Sequence, residues 1–149
     1  MDERFAKMHS AGIFRQYSEI FGALVSLSKG SEPELEALKR ATFLVWYENA
    51  EPACFSGVAD LPSDSRDTIA DLIEPLVPKL DAEFRWMLAH YCLIADYTFP
   101  DMDSRPNLRT LLANEEADGW RTQSIEAEKM DGRGLMGDYW RSILEASRD

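Results

Sequence analysis

Three glycines near the carboxyl end of the chain have the spacing of a nucleotide-binding motif. Gly132, Gly134 and Gly137 form the string Gly-x-Gly-x-x-Gly, which cradles a pyrophosphate in dinucleotide-binding folds. That mechanism needs a strand before the glycines and an acidic residue about 20 positions later to bind the ribose. Here a polar segment precedes the string and only 12 residues follow Gly137. We therefore interpret the glycines as a helix break and a turn.

A histidine and two tyrosines lie within the most apolar segments of the chain. His90 and Tyr91 belong to the segment Trp86–Ala95, and Tyr47 ends the apolar run that begins at Phe43. An imidazole and phenolic hydroxyls in apolar surroundings are groups that bind ligands or transfer protons. The simpler interpretation of His90 is a core histidine that is hydrogen-bonded to a neighbour.

Two carboxylates follow Tyr47 at the end of the same predicted helix. Glu48 and Glu51 are three positions apart, and close carboxylates perturb each other's pKa values and serve acid–base chemistry. Pro52 disfavours helical geometry at Glu51 and should turn that residue off the helical face. The alternative is a solvated helix end, although acidic residues oppose the helix dipole there. This pair is the best local indication of a site.

The sequence offers little to a metal ion or to covalent catalysis. It contains neither His-Glu-x-x-His nor the Glu-x-x-His pairs of di-iron bundles, and it lacks a Gly-x-Ser-x-Gly elbow. Cys54 and Cys92 have apolar neighbours and no Cys-x-x-Cys spacing, which predicts buried free thiols. We expect no metal and no cofactor, and we lean against an enzymatic activity.

The chain is acidic, with 27 acidic residues, 16 basic residues and a net charge of −11. Binding to a nucleic-acid backbone or to an anionic membrane surface needs the opposite charge, so neither is an expected partner. Residues 51–100 alone hold nine acidic and three basic residues. Asp67, Asp71 and Glu74 lie there on the outer face of a predicted helix. This face is either a solvated surface or a binding surface for a basic protein.

Two further features indicate contacts with other chains. Trp120 lies in a polar stretch, and an exposed tryptophan is a common anchor of protein interfaces. The first long helix carries an apolar stripe of residues three or four positions apart: Ile13, Tyr17, Ile20, Leu24 and Leu27. Packing against the core is the simpler interpretation of this stripe, and the seam of a homodimer is the alternative.

Hydrophobic residues recur at helical spacing nearly everywhere, and no strand-like alternation persists. The length fits a single domain, residues 1–149, in which residues 1–10 form a short extra turn or a loose tail. The first predicted helix covers 11–28, the second is capped at Ser31 and runs to Ala50, and the third covers 65–76. The fourth is capped at Asp81 and covers 82–97. The fifth is a short helix around 108–112 that ends at Asp118-Gly119, and the last covers 135–146. The second helix is apolar on all sides over Phe43–Tyr47, and the fourth is apolar all round between Phe84 and Ala95 except for Arg85 and His90. The predicted fold is therefore an all-α bundle of five to seven helices around these two.

Two functions fit these observations. The leading hypothesis is an acidic helical protein that acts by protein–protein interaction, as an adaptor, an inhibitor or an immunity-type neutraliser of a basic partner. Its surface would be the acidic middle and carboxyl-terminal regions, with Trp120 as an anchor. The alternative is a small-ligand or metal-binding bundle with a pocket between the second and fourth helices, formed by Tyr47, Glu48, Glu51, His90 and Tyr91. We expect a cytoplasmic location, because no signal peptide or membrane-spanning run is present.

Overall fold

The computed structural model describes residues 3–30, 32–100, 102–118 and 125–146. Those residues contain eight α-helices and no strand, so the prediction of an all-α fold is confirmed. The helices are α1 (Glu3–Ser10), α2 (Ile13–Ser28), α3 (Leu35–Ala50), α4 (Ala53–Ser56), α5 (Ser65–Ile73), α6 (Ala82–Ala95), α7 (Pro106–Asp118) and α8 (Gly134–Ala146). Short 3-10 segments cover Glu74–Lys79, Asp96–Thr98 and Ala127–Met130. No helix in the described ranges has the length and hydrophobicity that crossing a bilayer would need.

Helices α3 and α6 form the centre of the bundle, as the sequence predicts. Most side chains of both helices are buried on every side, which is the position of a helix that is apolar all round. Three contacts, in order along the chain, join α3 to α6 and to the 3-10 segment that follows α6: Lys39 to Glu83, Trp46 to Tyr91 and Asn49 to Tyr97. Because the residue numbers rise together, α3 and α6 run parallel and end on the same side of the molecule.

Helix α8 runs in the same direction as these two. The residue numbers of its contacts with α6 also increase together, counting Arg133 directly before α8. These contacts are Arg133 to Glu83, Tyr139 to His90 and Trp140 to Tyr91. The turn before α8 is made by glycines, since Gly132 and Gly134 have φ angles of +73° and +66°. At Gly137 a Cβ atom would overlap the backbone of Met130. The interpretation as a break and a turn thus holds for Gly132 and Gly134, whereas Gly137 lies within α8 at a close contact.

The ends of the central helices follow the predicted signals in part. The Asp81 carboxylate accepts the backbone N–H of Phe84 at 2.8 Å and caps α6 as predicted. Glu51 is extended, with φ −128° and ψ 144°, so the helix ends before Pro52. The start of α3 differs, because the residue before its first helical position is Glu34. The predicted cap, Ser31, lies outside the described residues.

Three expectations need correction. Residues 3–10 form helix α1, and the segment between the second and third predicted helices contains the short helix α4. Helix α2 does not bury its stripe at spacings of three and four: Ile20 is 46% exposed and Leu27 is 50% exposed. The buried side chains of α2 include Phe14 and Phe21, one position further round. The apolar face of α2 is wider than the surface that it packs on. Phe14 and Phe21 therefore face the core, whereas the aliphatic side chains of Ile20 and Leu27 remain exposed.

Candidate functional site

The histidine and the tyrosines of the predicted pocket lie in an aromatic cluster between α3, α6 and α8. His90 is 4% exposed, and its Nε2 atom shares a 2.9 Å hydrogen bond with the Tyr139 hydroxyl. The edge of its ring meets Trp140, with 4.5 Å between centroids. Burial lowers the pKa of His90 to about 4, because a charged imidazole would lose its hydration there. His90 is therefore neutral near pH 7.

Tyr91 is fully buried and joins two tryptophans. Its hydroxyl oxygen accepts the Nε1–H of Trp140 at 3.0 Å, and its backbone oxygen accepts the Nε1–H of Trp46 at 3.1 Å. Burial raises the pKa of Tyr91, so the phenol keeps its proton. Both tryptophan N–H groups are thus satisfied inside the core, which explains why Trp46 and Trp140 can be buried.

The remaining residues of the predicted pocket lie at the carboxyl end of α3. Tyr47 is half-buried and stacks on Trp46, with 13° between ring planes. The Glu48 carboxylate accepts the backbone N–H of Leu61 at 3.0 Å, and burial raises the pKa of Glu48. Glu48 therefore holds the α4–α5 connection against α3, whereas Glu51 is exposed. A ligand-binding role for the five predicted residues stays a prediction.

A cleft of about 320 Å³ opens elsewhere, between α2, α3 and the start of α8, and we call it the α2 cleft. None of the five predicted residues lines it. Its apolar walls are formed by Tyr17, Ile20, Leu24, Phe43, Leu44, Leu135 and Met136. Two cationic side chains, Arg40 and Arg133, complete the lining. The open flank of α2 is therefore one wall of a concave surface.

A network of charged groups lies next to this cleft and joins three helices. Lys39, 8% exposed, donates to Asp81 at 2.8 Å and to Glu83 at 2.9 Å. Arg133 donates to both oxygens of Glu36 at 2.7 and 2.9 Å and also binds Glu83. Burial opposes the charge on Lys39 and Glu83, but these hydrogen bonds outweigh it, raising the pKa of Lys39 and lowering that of Glu83. Lys39 and Glu83 therefore remain charged at neutral pH.

The carboxylates of the predicted acidic surface hold α5 and α7 together. Asp71 and Asp67 accept hydrogen bonds from Arg105 at 2.9 and 3.1 Å, and Arg105 is only 6% exposed. Glu74 accepts two backbone N–H groups of the first turn of α7, each at 2.8 Å. The side chains of Asp67 and Asp71 are still 57% and 68% exposed. Their role in binding a partner stays a prediction, as does that of Glu74.

Large apolar side chains are exposed where α6 ends. Leu93, Ile94 and Tyr97 are 61%, 53% and 55% exposed, and we call this surface the α6 end patch. The Tyr97 hydroxyl donates to the backbone oxygen of Asn49 at 2.8 Å, and its own backbone oxygen accepts from Arg66 at 2.7 Å. Sequence reasoning missed the patch, because a helix that is apolar all round does not reveal which residues remain exposed.

The other predicted features add no further site. Trp120 lies outside the described residues. Cys54 and Cys92 form no disulfide and are half-buried rather than buried. Within the described ranges, no three His, Cys, Asp or Glu side chains are grouped so that they could hold a metal ion. Comparisons with protein-family models, with curated proteins and with solved structures give no match to this chain.

Proposed function

We propose that the protein acts by binding a basic protein partner through the α6 end patch and the carboxylates around it. The observation that carries this proposal is the exposure of Leu93, Ile94 and Tyr97 within five consecutive residues. The biological roles that fit are those of an adaptor, an inhibitor or an immunity-type neutraliser. A cytoplasmic location and the use of Trp120 as a second anchor belong to the same proposal.

The apolar part of the surface has the composition of an interface centre. Single exposed apolar residues are common on monomers, but a contiguous group of large ones is typical of surfaces that bind another molecule. Tyrosine is enriched among the residues that dominate binding energy, and Tyr97 is held in place by its hydrogen bond to α3. An ordered aromatic side chain loses little conformational entropy when a partner covers it.

The charge around the patch favours a cation. Helices α3 and α6 both end here, and a helix carries partial negative charge at its carboxyl end. Asp96 directly precedes Tyr97, and Glu51 lies two positions after Asn49, the α3 residue that Tyr97 contacts. Lysine or arginine side chains at the rim of a partner's apolar surface would complement this potential.

An affinity capture with paired variants tests the proposal. The bait is the full chain, incubated at low salt with a lysate of its own host, and it is compared with Leu93→Asp and with Leu27→Asp. Leu27 is a matched control because it is also aliphatic, also helical and 50% exposed, but lies on α2. We expect a basic protein that the wild type and Leu27→Asp retain, that Leu93→Asp loses, and that salt elutes.

Two kinetic signatures then separate the apolar and the charged contributions. For the purified partner, Leu93→Ala should weaken binding about tenfold, mainly through faster dissociation. Asp96→Asn should mainly slow association and reduce its dependence on salt. Equal retention by all three baits, or a captured partner that is acidic, would contradict the proposal.

A further inference from the structure

We infer that the α2 cleft is a binding site for an amphipathic organic anion, a carboxylate that carries an apolar tail of about ten carbons. The site uses residues of α2, α3 and α8, and none of them belongs to the α6 end patch. The inference is therefore independent of the proposed protein partner and can fail or succeed separately.

The walls of the cleft fit an apolar tail. Ile20 and Leu24 of α2 line the cleft together with Phe43 of α3 and Leu135 of α8, and the half-open cleft has a volume of about 320 Å³. That volume is at the lower end of the range for small-molecule sites. It has room for about ten non-hydrogen atoms at roughly 30 Å³ each, the share of one water molecule in the liquid. Burial of such a tail would also cover Ile20, which is 46% exposed.

Arg40 is the residue that would bind the charged end of the ligand. Its Nε atom is inaccessible to water and finds no hydrogen-bond acceptor among the described residues. The nearest carboxylate is that of Glu36, whose Oε2 atom is 4.0 Å from Nε, beyond hydrogen-bond distance. Glu36 is already bound by Arg133 through both oxygens. Because Nε is covered, a ligand in the cleft would engage the terminal nitrogens of this guanidinium, whose charge has no hydrogen-bonded carboxylate among the described residues.

A carboxylate matches this arrangement better than a neutral or cationic head group. The guanidinium of Arg40 offers a planar fork of donors, and its side chain is 35% exposed at the cleft. Arg133 adds a second guanidinium to the lining, and its ion pairs with Glu36 and Glu83 fix it in position. Those pairs leave Arg40 as the group that a ligand carboxylate would engage directly.

The test is a calorimetric titration of the full-length protein with decanoate, at concentrations below its micelle formation. We expect one decanoate per chain, no binding of decylamine and much weaker binding of decanol. Arg40→Gln should weaken decanoate binding at least tenfold. Arg15→Gln should leave it unchanged, because Arg15 is exposed on α2 and does not line the cleft.

A second variant guards against a loss of folding in Arg40→Gln. Ile20→Asp changes an exposed wall residue and places a negative charge near the tail, so it should abolish decanoate binding while the thermal unfolding midpoint changes little. Failure of decanoate to bind at millimolar concentration would overturn the inference. So would equal binding by Arg40→Gln or equal binding of decanol. A dimer that covers the cleft, and that Ile20→Asp dissociates, would also overturn it in favour of the homodimer seam.

Discussion

Acidification should destabilise the folded protein through one buried group, His90. Burial among aromatic rings lowers its pKa from 6.5 to about 4, whereas the unfolded chain takes up the proton near pH 6.5. The unfolded state therefore binds more protons between these values. The contribution is fully present above pH 6.5 and is lost as the pH falls towards 4. The difference, 6.5 minus about 4, corresponds to about 3 kcal/mol at about 1.36 kcal/mol per pH unit.

Urea unfolding across this pH range measures the effect. Protonation of carboxylates also changes stability on acidification, so the wild type is compared with His90→Gln, which keeps a polar side chain but does not titrate. Between about pH 7.5 and 4.5, the variant should lose about 2–3 kcal/mol less than the wild type. His9→Gln is the matched control, since His9 is the other histidine and is exposed on α1. Parallel curves for the wild type and His90→Gln, or a His90 imidazole that titrates near pH 6.5 in the folded protein, would refute the reasoning.

Two further pairs of substitutions test the packing and the charge network by equilibrium unfolding. Gly137→Ala should lower the free energy of unfolding by about 1–3 kcal/mol, because its Cβ would overlap the backbone of Met130. Gly22→Ala, in an open helical position, should raise it by about 0.5–1 kcal/mol, and the opposite order would contradict the packing described for α8. Arg133→Met should lower the free energy of unfolding by about 1–3 kcal/mol, because Glu36 loses its bidentate partner and Glu83 keeps only Lys39. Arg141→Met removes an exposed ion pair and should lower the free energy of unfolding far less. Equal losses for the two variants would show that the buried network stabilises the fold no more than an exposed pair does.

The sequence predicts the centre of the fold because hydrophobic periodicity reports burial directly. The apolar runs within α3 and α6 placed these helices at the centre, where Trp46 and Trp86 are indeed buried. The ends of helices and the turns between them could also be predicted from the sequence. The Asp81 cap, the extended residue before Pro52 and the glycine turn before α8 each depend on residues within a few positions of one another.

The contacts between distant segments could not be predicted in this way. Arg133 and Glu36 are 97 positions apart, and nothing in either segment indicates that α3 and α8 run parallel with these residues at the same end. Periodicity also could not say which side of α2 packs on the core, since its apolar arc is wider than one packing surface. The same ambiguity hid the α6 end patch, where a helix that is apolar all round leaves Leu93 exposed.

Position-specific photo-crosslinking in the native host tests the proposed function most directly. A photoreactive amino acid replaces Leu93 in one variant and Leu27 in another, at positions of similar exposure on different helices. We expect position 93 to form a crosslink to a distinct basic protein and position 27 to form none. The absence of any crosslink to another protein from position 93, or the same product from both positions, would contradict it.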